Sequence, residues 1–162
     1  MSERTDAGAA PQENTVADRR RGIKIVGAVL AGVLILMLIV LPWLETWGYP
    51  RTQPEHVYRG LQLITPLKTA PSDVPFLNGA APGMVVGYLV LAAACLFFPA
   101  TVIAVVSGFA GFALTIALLL SVTTDVGHHP SATWTYSPVV AIAIWLVTAM
   151  VSTVGWTSRR AV

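Results

Sequence analysis

Apolar positions in this chain come in long blocks rather than in the alternating or one-face patterns of a soluble domain. Ile25–Leu44 holds no charged residue, nor does Val74–Thr124, nor Val126–Ser158, giving charge-free gaps of 20, 51 and 33 residues. A helix crosses the roughly 30 Å hydrocarbon core in about 20 residues. The first gap therefore fits one crossing, and its run IVGAVLAGVLILMLIVL ends at Pro42-Trp43, a step suited to a helix terminus at headgroup depth. The second gap, as a single helix, would be about 76 Å long and must fold back. Two turn sites present themselves, Phe97–Ala100 around Pro99 and Ser107–Gly111 around Gly108. A turn near Gly108 leaves an arm of only about 15 residues, short of a crossing. Pro99 is the better site, read as the first residue of the next helix, where its missing N–H costs nothing. The last gap predicts one crossing, with Ser137 as N-cap before Pro138.

The predicted organisation is an all-α membrane protein, a four-transmembrane-helix bundle. Residues 1–21 form a cytoplasmic tail, disordered through its first 18 residues, and crossings lie at 22–44, 80–98, 99–123 and 137–156. An outer loop of 35 residues spans 45–79, a second outer loop spans 124–136, and 157–162 is a short cytoplasmic tail.

Composition agrees: 55% of residues are hydrophobic and 11% charged, against roughly 25% charged in an ordinary soluble domain. The positions of the cations then orient the bundle. Arg19, Arg20, Arg21 and Lys24 precede the charge-free run of the first crossing and Arg159 and Arg160 follow the last, whereas the 35-residue loop has three basic residues and the second outer loop none. By the positive-inside rule both termini are cytoplasmic. Trp43, Trp47, Trp134 and Tyr136 fit an outer aromatic belt and Trp156 an inner one. The first crossing reads as an anchor rather than a cleaved signal, since its apolar core of about 17 residues exceeds the usual 7 to 15. The arginine run serves as a topology determinant, with attraction to anionic lipid of about 1 kcal/mol per residue as an alternative role.

Prolines 50, 54, 66, 71 and 75 divide the first outer loop, leaving Pro54–Ile64 as the piece long enough for a helix. Val57, Tyr58, Leu61 and Ile64 make one apolar stripe opposite Glu55, Arg59 and Gln62, which predicts a short interfacial helix and marks the stripe as an outer-loop contact. Gly60 weakens it, and an extended stretch Leu61–Ile64 is the alternative.

Candidate chemistry is sparse. Asp125, His128 and His129, taken with Glu55 and His56, have metal-ligating side chains, but adjacent histidines in an extended loop point apart. No acidic residue or histidine lies within the crossings, and Lys24 stands at the edge of the first, which excludes carboxylate-dependent proton-coupled exporters. Cys95 is the sole cysteine, which excludes cysteine-pair thiol oxidases, and all three histidines are in loops, which excludes haem ligation within the bundle. The hydroxyls of Ser107, Thr115, Ser121, Thr148 and Ser152 read as bonded to their own helix backbones or to neighbouring helices. No catalytic, cofactor or metal site is assigned, and no nucleic-acid partner.

Small residues do recur at four-residue spacing. Gly27 with Ala31, Ala28 with Gly32, Gly83 with Gly87, Ala104 with Gly108 and Ser107 with Gly111 are candidates for helix packing or partner contact. Phe97, Phe98, Phe109, Phe112 and Trp145 are read as bulky groups facing lipid or a larger protein.

Eight arginines against two lysines, with abundant Ala, Val and Gly, point to GC-rich coding DNA. With its four-span layout, the step Leu41-Pro42-Trp43 and the element Gly60-Leu61-Gln62-Leu63, the chain resembles the small four-span membrane proteins of actinobacteria. Some small mycobacterial proteins of this size are accessory subunits of MCE-type lipid importers or of the respiratory supercomplex. The resemblance implies a non-catalytic accessory subunit of a larger integral membrane complex, in contact with membrane lipid. A stand-alone protein handling lipid or apolar solutes is the alternative.

Overall fold

The computed structural model describes residues 10–47, 54–64, 80–124 and 132–160. In chain order these form α1 (Ala10–Val40), β1 (Pro42–Trp47), β2 (Pro54–Arg59), a 3-10 turn (Gly60–Ile64), α2 (Ala80–Phe97), α3 (Val102–Thr124), β3 (Ala132–Trp134) and α4 (Ser137–Arg160). All four α-helices are long and apolar enough to cross a membrane. The protein is a multi-pass membrane protein of predominantly all-α class.

The helices pack as a ring, α1 on α2, α2 on α3, α3 on α4 and α4 back on α1, the up-and-down arrangement that short connections favour. Their inward residues form the core, with Ala31, Leu34, Leu38, Ala92, Ala104, Ala141 and Trp145 each no more than 1% exposed. Small side chains at several of these positions let backbones approach, as membrane helices require when lipid is as apolar as the helix itself. Each helix turns a second apolar face outward, as Val29, Val90, Val106 and Met150 show.

Helix α1 starts at Ala10, well inside the stretch expected to be disordered. Nucleation is the costly step in helix formation, and a crossing that is already helical supplies the nucleus. Gln12, Glu13, Ala17 and the three arginines that follow are good helix formers, so the helix propagates outward through them.

The turn between α2 and α3 falls at Pro99 rather than at Gly108. Pro99 is not the first helical residue, however; it lies within the turn, and Thr101 caps α3. The Thr101 hydroxyl accepts a hydrogen bond from the Ala104 N–H at 3.3 Å and donates to the Phe98 carbonyl at 2.6 Å. Ala100 closes the turn in the left-handed region, with φ of 58°.

The predicted interfacial helix is replaced by a small antiparallel sheet of order β2-β1-β3. Leu44 pairs with Tyr58 on one side and Trp134 on the other, and Glu45 pairs with Val57 and Thr133. Tyr58 is buried and Val57 about half exposed, so the sheet separates two residues that a helix would have placed on one face. The alternative extended stretch does not form either, because Leu61–Ile64 closes as a 3-10 turn under the bundle end. Gly60 permits this: a Cβ there would meet the Leu38 side chain and lie 2.9 Å from the Leu38 carbonyl oxygen.

Candidate functional site

Three features could carry function: the aromatic centre of the bundle, the sheet on one end and a basic cleft at the other. The centre is a stack of three rings. Tyr88 meets Trp43 edge-on at 5.5 Å and Trp145 at 5.2 Å, the geometry that aromatic quadrupoles favour. Trp145 is fully buried, contrary to its reading as an outward group, because Gly111 on α3 leaves room for its indole. Its indole N–H is buried without a hydrogen-bond partner among the described residues. Trp43, expected in the aromatic belt, is also fully buried and donates its N–H to the Met37 carbonyl at 3.1 Å. Both tryptophans thus belong to the core.

The sheet is fastened to the bundle by side chains acting across long sequence distances. Hydroxyls of Thr135 and Ser137 both donate to the Pro42 carbonyl, each at 2.5 Å, tying the start of α4 to the exit of α1. Ser137 is therefore not the N-cap: the first intrahelical bond runs from the Val140 N–H to the Tyr136 carbonyl, which puts Tyr136 at the cap. Trp47 donates to the Thr133 hydroxyl at 2.9 Å and Trp134 to the Leu119 carbonyl at 3.1 Å. Tyr136 is exposed beside them.

The opposite end carries the cations. Arg20 on α1 donates from Nη2 to the Ser158 carbonyl at 3.1 Å, closing the first helix against the last. The described ends of the chain, Ala10 and Arg160, accordingly share one end of the bundle. Arg160 lies over the Trp156 ring at 4.3 Å. Between α1 and α4 is a cleft of about 360 Å³, lined by Val16, Arg19, Arg20, Ile23, Val154, Thr157 and Ser158.

The small-residue candidates divide by position. Gly108 and Gly111 face α4, where an added Cβ would lie 2.9 Å from the Ala149 Cα and 2.5 Å from the Trp145 ring respectively. Ala31 and Ala104 are fully buried. Gly27 and Gly87 sit at ordinary or slightly tight contact, 3.7 Å from Pro99 and 3.3 Å from Leu114. Gly83 is exposed with nothing within 4 Å, so it takes no part in packing among the described residues. Of the outer-loop stripe, Tyr58 joins the core, Leu61 and Ile64 pack against it, and Val57 faces out.

Thr115 and Thr148 donate their hydroxyls to the carbonyls four residues back, at 2.7 and 2.8 Å. Cys95 is buried and its thiol approaches the Ala104 carbonyl at 3.6 Å. Asp125, His128 and His129 lie outside the described residues. Among the described residues no cluster of three or more His, Cys, Asp or Glu is placed to hold a metal.

Sequence reasoning missed Tyr88, Thr135 and the Arg20–Ser158 link. Tyr88 had a signal, since a phenol inside a crossing needs an acceptor, and here its hydroxyl points at the Leu34 carbonyl at 3.5 Å. The other two join positions 93 and 138 residues apart and had none. Compared with protein-family models, curated proteins and solved structures, the chain finds no match in any of the three.

Proposed function

We infer that this chain is a non-catalytic accessory subunit of a larger complex in the plasma membrane, with both termini cytoplasmic and the sheet on the outer side. The observation that carries this reading is a solid bundle with a sheet fixed to its end. The interior space beneath the sheet, lined by Leu38, Trp43, Met84, Tyr88, Leu114 and Leu118, has no room for a water molecule. A bundle filled in this way works through its surfaces.

Those surfaces are of two kinds. The outward helix faces, including Val90, Val106 and Phe109, are apolar and suit lipid or the flank of a larger membrane protein. The sheet offers strand edges: β1 is paired on both sides, and among the described residues β2 and β3 each pair with β1 alone, so that an extended segment of a partner can pair beside them. The narrower reading is a lipid transport system of the cell envelope, MCE-type by the resemblance of the sequence; a respiratory assembly is the alternative. A stand-alone lipid-handling role, as a homo-oligomer, draws support from the basic cleft.

Gentle detergent extraction of a tagged chain, followed by mass spectrometry, separates these readings. Stoichiometric recovery with subunits of a lipid importer supports the first, and recovery with respiratory subunits supports its alternative. Migration alone or only with itself sinks the accessory role. A reporter fused after Val162 tests orientation and should be active only in the form that works in the cytoplasm.

A further inference from the structure

We propose that the cleft between α1 and α4 is a binding site for the phosphate headgroup of an anionic glycerophospholipid. The lining changes character along the helix axes. Ile23 and Val154 line the side toward the apolar crossing, Arg19 and Arg20, with Thr157 and Ser158, line the middle, and the half-exposed Val16 lies one turn of α1 further out. From Ile23, the charge-free crossing begins two residues further on, so the arginines lie about one helical turn outside the hydrocarbon edge, at headgroup depth.

Arg20 is the central group. A guanidinium has five N–H donors and matches phosphate oxygens in a two-pronged geometry. One donor is committed to the Ser158 carbonyl, which fixes the side chain across the cleft floor. Its Nε is buried and has no hydrogen-bond partner among the described residues. A buried donor without an acceptor is costly, and a small shift of the Arg20 side chain toward an anion in the cleft relieves that cost. Arg19 adds a second positive charge from the same helix turn. Arg21, Lys24, Arg159 and Arg160 are not among the residues lining the cleft, and the exposed Asp18 is the nearest acidic residue in sequence.

Size and lining select the lipid over free phosphate. At about 360 Å³ the cleft is at the small end of ligand sites, room for a phosphate and its glycerol but not for whole acyl chains. Ile23 and Val154 have no use to a free anion, whereas they meet the first acyl carbons of a lipid whose phosphate rests on Arg20. The site stands whether or not the chain docks on a larger complex.

Native mass spectrometry of the detergent-purified full chain tests the site, with phosphatidylglycerol, phosphatidylcholine and water-soluble glycerol phosphate as probes. Phosphatidylglycerol should be retained about tenfold better than phosphatidylcholine, because the same phosphodiester in phosphatidylcholine carries a quaternary ammonium that Arg19 and Arg20 repel. R20Q should reduce retention to the phosphatidylcholine level, Arg20→Lys should restore part of it, and Arg159→Gln, which removes the same charge outside the cleft, should leave it unchanged. If R20Q fails to fold, as judged by circular dichroism, Arg19→Gln takes its place with the same expected direction. Equal retention of the two lipids overturns the site, as does an equal loss in the Arg159→Gln chain, which indicates diffuse attraction. Displacement of the lipid by equimolar glycerol phosphate overturns the lipid assignment in favour of a soluble phosphate.

Discussion

Gly111 and Gly32 both sit inside helices, and replacing each with alanine should move stability in opposite directions. At Gly32 an added Cβ meets nothing within 4 Å, so the change brings only the helix propensity gain of up to about 1 kcal/mol. At Gly111 the Cβ would lie 2.5 to 2.6 Å from three carbons of the Trp145 ring. Carbon atoms pack best at about 3.5 to 4.0 Å, so the overlap is roughly 1 Å. The ring cannot readily yield, because Trp145 is fully buried and braced edge-on by Tyr88, which is itself braced by Trp43. Overpacking costs about 1 to 3 kcal/mol, and with a ring that cannot yield the cost falls at about 2 to 3 kcal/mol, so after a propensity gain of about 1 kcal/mol about 1 to 2 kcal/mol of destabilisation is left. For a chain of this length that lowers Tm by about 2 to 8 °C. Thermal unfolding followed by far-ultraviolet circular dichroism, with both variants in one detergent, measures the difference. In a Trp145→Phe background, which removes the atoms in conflict, the cost of Gly111→Ala should shrink. A Gly111→Ala chain as stable as Gly32→Ala would refute the packing of α3 on α4 described here.

Paired cysteines test the sheet: Glu45→Cys with Thr133→Cys should cross-link on mild oxidation of membranes, because these residues are directly opposed. Glu45→Cys with Trp134→Cys should not, since a one-residue offset puts the side chains on opposite faces. Because Thr135 and Ser137 share the Pro42 carbonyl, Ser137→Ala or Thr135→Val alone should cost under about 1 kcal/mol. The double variant should cost more than the sum, about 1 to 3 kcal/mol, as the carbonyl loses both donors; strict additivity in chemical unfolding would exclude the shared acceptor.

Pro99 and Gly108 show what kind of information the linear sequence holds. The turn at Pro99 was readable because span length and proline geometry are local constraints. Gly108 had the same look of a turn residue, and it turns out to be where α3 and α4 approach so closely that a Cβ would lie 2.9 Å from a backbone carbon. Which of the two roles a glycine plays depends on what lies opposite it. The Pro54–Ile64 segment makes the same point. Its apolar stripe fits a helix, yet β1 offers a pairing edge, and the backbone bonds of β2 go there instead.

Trp145 and Trp43 were misplaced for a related reason. Hydrophobicity alone does not distinguish a side chain facing lipid from one facing the core, since both surroundings are apolar. Interior cavities, caps and the Arg20–Ser158 link likewise depend on partners that no spacing reveals.

The sequence by itself determined that the chain crosses a membrane and how many times, because excluding charge from hydrocarbon acts on each residue separately and leaves its mark in one dimension. The tertiary structure alone decided which faces are core, which hydroxyls bind the Pro42 carbonyl and that a three-stranded sheet rather than a helix stands on the bundle. Those outcomes are set by contacts between residues as far apart as Leu44 and Trp134, and the free energy of such a contact belongs to the pair and not to either residue's place in the chain.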